Sequence, residues 1–290
     1  MRTTAAAIAC CLAVLLLAAT AASAKPEPKV TPGSTYLALG DSVSFGYQEG
    51  NVVPKPDYSK ASNFLGWPDH AGRALHLKVV NASCPGETSA SLIDTSAQAF
   101  GCENTAGNTN TAYRKFFPLH VKYSGSQLAF AVSYVRKHRA STRLVSLMVG
   151  ANDLFLCQAT TNDGCASELQ ATYAKVAGNV KKILSAVRKK AGYRGQIVLM
   201  RYYSLKYGND PFATVVQGLN AAAAKAAKPY RVRVADGYGE WRNATRNSGD
   251  DSCTAGLLTQ LDNDPTKCGV HPSWSGQGLL SQALIRAIRR

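Results

Sequence analysis

The chain has 290 residues, 46% hydrophobic and 18% charged, with 33 Lys+Arg against 18 Asp+Glu for a formal charge of +15. That apolar content supplies a core and excludes a wholly disordered chain, and 24 glycines without a period exclude a collagen-like one. The basic balance comes with neither a helix-turn-helix nor an aromatic-basic motif, so no nucleic-acid partner is expected. Residues 1–24 read as a signal peptide: a charged start at Arg2, an apolar run from Ala5 to Ala19, and a small-x-small site at Ala22-Ser23-Ala24. The run is short for a spanning helix, and Cys10 and Cys11 precede or lie within it, where a lipidated cysteine would follow it. Residues 25–34 hold three prolines and read as a linker, leaving one domain over 35–290. Tyr36–Leu39 predicts a buried strand, Trp67–Leu77 a helix, Lys78–Ala82 a strand and Gln127–His138 a helix. Leu144–Val149 predicts a strand and Ser167–Lys190 a long amphipathic helix. Gln196–Arg201, Thr214–Lys228, Val232–Ala235 and Leu279–Ile288 predict strand, helix, strand and helix. The alternation implies βαβ units and a three-layer α/β/α sandwich around a five-stranded parallel sheet.

Secretion changes the cysteine arithmetic. Six cysteines remain beyond the leader, and an even number in an oxidising compartment suggests three disulfides out of fifteen possible pairings. Each neighbouring pair falls within one segment between motifs, which favours Cys84–Cys102, Cys157–Cys165 and Cys253–Cys268. No CxxC or His/Cys cluster has metal-ligand spacing, so no metal is expected. Two sequons occur, at Asn81 and Asn243.

In sheets of this type the ligand site lies beyond the carboxyl ends of the strands. There the sequence places Gly40-Asp41-Ser42, then Cys84-Pro85-Gly86-Glu87, then Gly150-Ala151-Asn152-Asp153, and His271-Pro272-Ser273 just before the last helix. Taken singly, each reads equally well as a turn or a helix cap. Together they supply a hydroxyl nucleophile, a base and donors for a developing oxyanion, the set that acyl transfer needs.

At these residues the chain resembles the SGNH hydrolases, or GDSL esterases and lipases. "GDSVSFG" (40–46) resembles the first block, "CPGETSASL" (84–92) the second as found in secreted actinobacterial members, "GANDLF" (150–155) the third and "HPSWSG" (271–276) the last. The resemblance implies the flavodoxin-like fold of the family and a secreted carboxylic ester hydrolase with no cofactor. It implies Ser42 as nucleophile, His271 as general base, and an oxyanion hole from the Ser42 and Gly86 N–H groups and the Asn152 amide. Asp41 and Asp153 are expected to orient their turns. In the family's DxxH block an aspartate commonly stands three residues before the histidine. Here that residue is Cys268. The expectation is therefore a Ser42–His271 dyad with the Cys268 carbonyl orienting the imidazole, Asp264 (or Asp262) being the alternative third member.

Phe45, Leu154, Phe155, Leu156 and Trp274 flank the motifs and are candidates to line an acyl pocket, pointing to a small-molecule or lipid ester. An anionic lipid or cell-wall surface is an expected partner for the positive charge, with Lys175–Lys190 its strongest basic run. A monomer is expected. A non-catalytic binding module on the same fold and a carbohydrate O-acetyl esterase are the alternatives.

Overall fold

A computed structural model describes residues 27–104 and 112–289. The expected signal peptide and the start of the linker lie outside the described residues. Five parallel strands form the central sheet: β1 (Thr35–Gly40), β2 (Lys78–Asn81), β3 (Thr142–Met148), β4 (Gln196–Met200) and β5 (Val232–Ala235), in the order β2-β1-β3-β4-β5. The strands read as continuous apolar runs because both faces are covered. Tyr36, Leu37, Leu39, Leu144, Leu147 and Ile197 are all buried. The nine helices described are α1 (Ser42–Phe45), α2 (Trp67–Ala74), α3 (Tyr113–Phe116), α4 (Gln127–Lys137), α5 (Ala151–Thr160), α6 (Leu169–Ser185), α7 (Pro211–Ala227), α8 (Gly237–Thr245) and α9 (Trp274–Ala287). Helices α2 and α9 pack together, α9 against β4 and β5; α6 packs with α7, and α4 packs against β1. This is the expected three-layer α/β/α sandwich.

The chain leaves β1 for β2 on one side and returns to β3 on the other. The crevice of a doubly wound sheet opens where the strand order reverses, here between the carboxyl ends of β1 and β3.

Two features go beyond the expectations, and a third bears on the sequons. An antiparallel hairpin, β6 (Leu258–Leu261) with β7 (Asp264–Pro272), lies where the sequence reading assigns no element, and it carries His271. Its turn places Asp262 and Asn263 at positive φ, which short polar side chains tolerate. The segment expected as a linker is tied down from Glu27 onward. Val30 is buried and donates its N–H to the Arg289 carbonyl, and Glu27 pairs with Arg188 and Arg233. The Asn81 sequon is closed to modification in the fold: the side chain is buried and donates to the Ser44 carbonyl at 2.9 Å, whereas Asn243 is exposed on α8.

All three expected disulfides are formed: Cys84–Cys102, Cys157–Cys165 and Cys253–Cys268. The first joins the second motif to the loop beside it, and the third braces the hairpin three residues before His271.

Candidate active site

The turn after β1 is forced by backbone packing. Gly40 has φ +157°, and a Cβ there would lie 2.6 Å from the Met148 carbonyl oxygen on the neighbouring strand, so only glycine fits. Asp41 then caps α1 by accepting the Val43 N–H at 3.0 Å, and Ser42 becomes the first helical residue. Its N–H is one of the unpaired donors that begin every helix, and no described residue accepts from it. Gln277 of α9 clamps this turn. It donates to the Val43 carbonyl and accepts from the Trp67 N–H.

Gly86 follows β2 at φ +79°. A Cβ there would lie 2.5 Å from the Phe100 carbonyl, which again requires glycine, and no described residue accepts from its N–H. Asn152 stands in the first turn of α5. Its Nδ2 donates to the Glu87 carbonyl at 3.0 Å, which fixes the amide beside the Gly86 loop. Asp153, next in sequence, accepts the Ser89 N–H and hydroxyl, both at 2.7 Å. Asp153 therefore orients the turns as expected, and burial pushes its pKa up against those bonds. Asp41 is buried likewise. Desolvation raises its pKa to about 6, although the phenol of Tyr202 and the Val43 N–H both donate to it.

His271 sits near the end of β7, and its partner departs from the expectation. Nδ1 is 2.8 Å from Oε1 of Glu49, a residue in the loop after α1. The same oxygen accepts the Val270 N–H at 2.7 Å and the His271 N–H at 3.1 Å, and Oε2 accepts the Thr259 hydroxyl at 2.5 Å. Burial acts to raise the Glu49 pKa. The His271 hydrogen bond and charge, with the Thr259 hydroxyl, outweigh it and hold the carboxyl down at about 2. Glu49 is thus an ionised acceptor, so Nδ1 carries the proton and Nε2 is left with a lone pair. Nε2 has no partner among the described residues, and Tyr47 packs its ring against the imidazole at 4.9 Å.

Neither Cys268 nor Asp264 makes this contact. The Asp264 side chain turns outward to the Thr266 N–H and hydroxyl and to Lys267. The carbonyl expected at Cys268 is displaced in that role by a carboxylate from a loop some 220 residues away in sequence. Glu49 was missed because it lies outside the four motif blocks. The one available signal was an acid in a loop that closely follows the nucleophile block.

Ser42, Asn152 and His271 line one cleft with two lobes. One, of about 50 Å³, runs inward between Val43, Leu154, Tyr203, Val216, Leu219 and Val270. Its two phenols are spent on the fold: the Tyr202 phenol on Asp41, the Tyr203 phenol on the Val270 carbonyl. The other lobe is about 220 Å³ and is bordered by Tyr47, Gly86, Phe100 and Tyr113. Of the five apolar candidates read from the sequence, Leu154 and Phe155 reach the cleft. Phe45 is buried against Phe64 and Tyr113, Leu156 is buried away from it, and Trp274 is exposed against His70.

A seryl hydroxyl, a histidine held by a carboxylate and two unpaired backbone donors thus meet at the switch point of a doubly wound sheet. The model of the GDSL-like lipase/acylhydrolase family matches residues 38–279, and the chain belongs to that family as a carboxylic ester hydrolase. Among solved structures, the chain is similar to an acetylxylan esterase from Geobacillus stearothermophilus, with a TM-score of 0.53 and 17% identity over 90% of this chain and 96% of that one. It is also similar to a protein described as a GDSL-like lipase from Parabacteroides merdae, with a TM-score of 0.50 and 15% identity over 90% and 98%. At such identities the likeness is one of fold. Comparison with curated proteins returns no match.

Proposed function

We propose that this chain hydrolyses esters of apolar acyl chains through a Ser42 acyl-enzyme, with His271 as general base and Glu49 as the residue that orients it. Nε2 of His271 removes the Ser42 proton as Oγ attacks the ester carbonyl. The oxyanion is received by the Ser42 and Gly86 N–H groups and the Asn152 amide. His271 returns the proton to the leaving alcohol, and the acyl-oxygen bond breaks. Water, deprotonated by the same histidine, then releases the acid and restores Ser42. Glu49 holds the imidazole in the tautomer this cycle needs and stabilises the imidazolium that forms.

The observation that carries this reading is Glu49, with three N–H groups and a hydroxyl converging on its carboxylate and His271 Nδ1 among them. A binding module has no need of an ionised acid ordering one imidazole nitrogen while leaving the other free. The inner lobe, walled mainly by apolar side chains beyond Ser42 and His271, suits the hydrocarbon of an acyl group, and the wider aromatic lobe suits the alcohol. Export fits the three disulfides and the apolar leader, with residues 35–290 as the catalytic domain. An anionic surface is the proposed resting partner of a monomer, held by a pocket of about 520 Å³ at the amino end of the sheet that Arg139, Arg143, Arg188 and Arg194 line.

The test is labelling by a fluorophosphonate together with hydrolysis of p-nitrophenyl esters from acetate to decanoate and of acetylated xylan. Covalent labelling that Ser42→Ala abolishes, with faster turnover of longer acyl chains than acetate, supports the reading. Labelling that survives Ser42→Ala overturns the mechanism. Acetate or acetylated xylan as the fastest substrate overturns the acyl preference in favour of a carbohydrate O-acetyl esterase.

A further inference from the structure

Glu87 is a second acid of the cleft region, and the mechanism above does not use its side chain. It follows Gly86 directly, is fully enclosed, and its backbone carbonyl is the acceptor that fixes Asn152. Its side chain reaches the other half of the site. Oε2 accepts from Nε2 of Gln127 at 3.1 Å, and that same nitrogen donates to the Gly40 carbonyl at 3.0 Å. Oε1 of Gln127 accepts the Gly40 N–H at 2.6 Å. One carboxyl and one amide therefore join the peptide before Asp41-Ser42 to the loop of Gly86 and Asn152.

The remaining oxygen of Glu87 meets the Ser91 hydroxyl. That hydroxyl oxygen also receives the Thr88 N–H at 3.0 Å and has the Thr88 carbonyl as an acceptor at 3.4 Å. Ser91 Oγ donates to Oε1 of the ionised acid; when the carboxyl takes up a proton, its O–H can donate to Ser91 instead, and the Ser91 hydroxyl has the Thr88 carbonyl as its onward acceptor. A carboxylate would hold a full charge in a dry interior with one amide donor and one hydroxyl to meet it. The charged groups facing it are Glu103 and Arg114, which are paired with each other, and the Tyr123 phenol, which donates to the Ala82 carbonyl. The adjoining Cys84 and Cys102 are joined as a disulfide and do not titrate.

We infer that Glu87 is a positioning residue whose neutral carboxyl, acting through Gln127, locks the nucleophile turn to the oxyanion loop, so that loss of its proton disables the enzyme. This deepens the Ser42 reading and rests on it. Desolvation raises the Glu87 pKa to about 8, Ser91 and Gln127 opposing the rise. Ionisation then places a negative charge beside the loop that must receive an oxyanion, and activity falls as pH rises through that value. Asp41 does not account for such a fall, since its pKa of about 6 leaves it ionised already. The phenols of Tyr123, Tyr202 and Tyr203 are all pushed upward by burial and titrate later.

The experiment is the pH profile of kcat/KM on p-nitrophenyl butyrate from pH 5 to 10, for wild type, Glu87→Gln and Ser42→Ala. Wild type is expected to lose about tenfold per pH unit above 8. Glu87→Gln, which keeps an amide where the neutral acid stood, is expected to hold activity within threefold of wild type at pH 7 and to lose that alkaline limb. An unchanged limb in Glu87→Gln, or a wild type with no limb, overturns the inference. Should Glu87→Gln fail to fold, the δ-carboxyl ¹³C resonances of glutamate-labelled wild type decide it. One glutamate titrating near pH 8 supports the inference, and none titrating above pH 6 overturns it. Hydrolysis that survives in Ser42→Ala overturns the Ser42 reading itself, whatever the behaviour of Glu87.

Discussion

The two ends of the central sheet are built on opposite electrostatic plans. At the carboxyl ends of the strands lie the acids, each with a defined set of donors: Asp41 on Val43 and Tyr202, Glu49 on His271 and Thr259, Asp153 on Ser89, and Glu87 on Gln127. At the amino ends lie the bases, among them Arg136, Arg139, Arg143, Arg194 and Arg231, where helices α4 and α6 finish. Basic side chains are favoured there because helix carboxyl ends are partially negative. The described ion pairs at this end converge on one acid, Glu27. The difference is one of preorganisation. A group that must act in a reaction is fixed by several hydrogen bonds in a dry setting. The basic groups Arg139, Arg194 and Arg231 at the other end stay exposed to solvent.

If that contrast holds, the carboxyl end responds steeply to small chemical changes and the amino end does not. The largest effect is expected at Glu49. Glu49→Gln keeps the shape of the side chain but removes the charge that selects the His271 tautomer, and kcat is expected to fall about ten-thousandfold, as when a triad loses its carboxylate. Asp262→Asn and Asp264→Asn, by contrast, are expected to keep wild-type kcat. Steady-state kinetics of the three variants check this, and a collapse in either aspartate variant would restore the DxxH-like reading. A smaller loss, about 10²- to 10³-fold in kcat with little change in KM, is expected for Asn152→Ala, which removes one of the proposed oxyanion donors. A change confined to KM would reassign Asn152 to ground-state binding. Smallest of all is the triple variant Arg139→Glu, Arg143→Glu, Arg194→Glu. On a soluble p-nitrophenyl ester it is expected to match wild type within about twofold, since exposed charges far from the site act weakly across the molecule. Its co-sedimentation with phosphatidylglycerol vesicles at low salt is expected to be lost. Equal sedimentation of the variant and wild type would end the claim that the amino pole is a docking surface.

The pattern of strands and helices was legible because parallel strands buried on both faces are uninterrupted apolar runs, and because α4, α6 and α7 carry amphipathic repeats. Short elements were not. Helix α1 has only four residues, too few for a period to show, and is set by the Asp41 cap, while the β6–β7 hairpin is braced by the Cys253–Cys268 cross-link. The residues that carry unusual backbone or polar chemistry could be read directly: Ser42, Gly86, Asn152 and His271 all reach the cleft. The inner lobe was read only in part. Val216 and Leu219 belong to the middle of α7 and reach the cleft beside Ser42 because Leu219 lies against Gly150 after β3 and Asn220 pairs with the Tyr202 backbone after β4.

By itself, then, the amino-acid order determined the layered architecture, the three sulfur bridges and four of the site's chemical groups, since each depends on residue type and local spacing. The tertiary structure alone decided which acid serves His271 and which carboxyl ties Gly40 to Gly86. Those pairings join residues far apart along the chain, and what selects them is the distance and direction of a hydrogen bond across a closed interior, information that no local pattern carries.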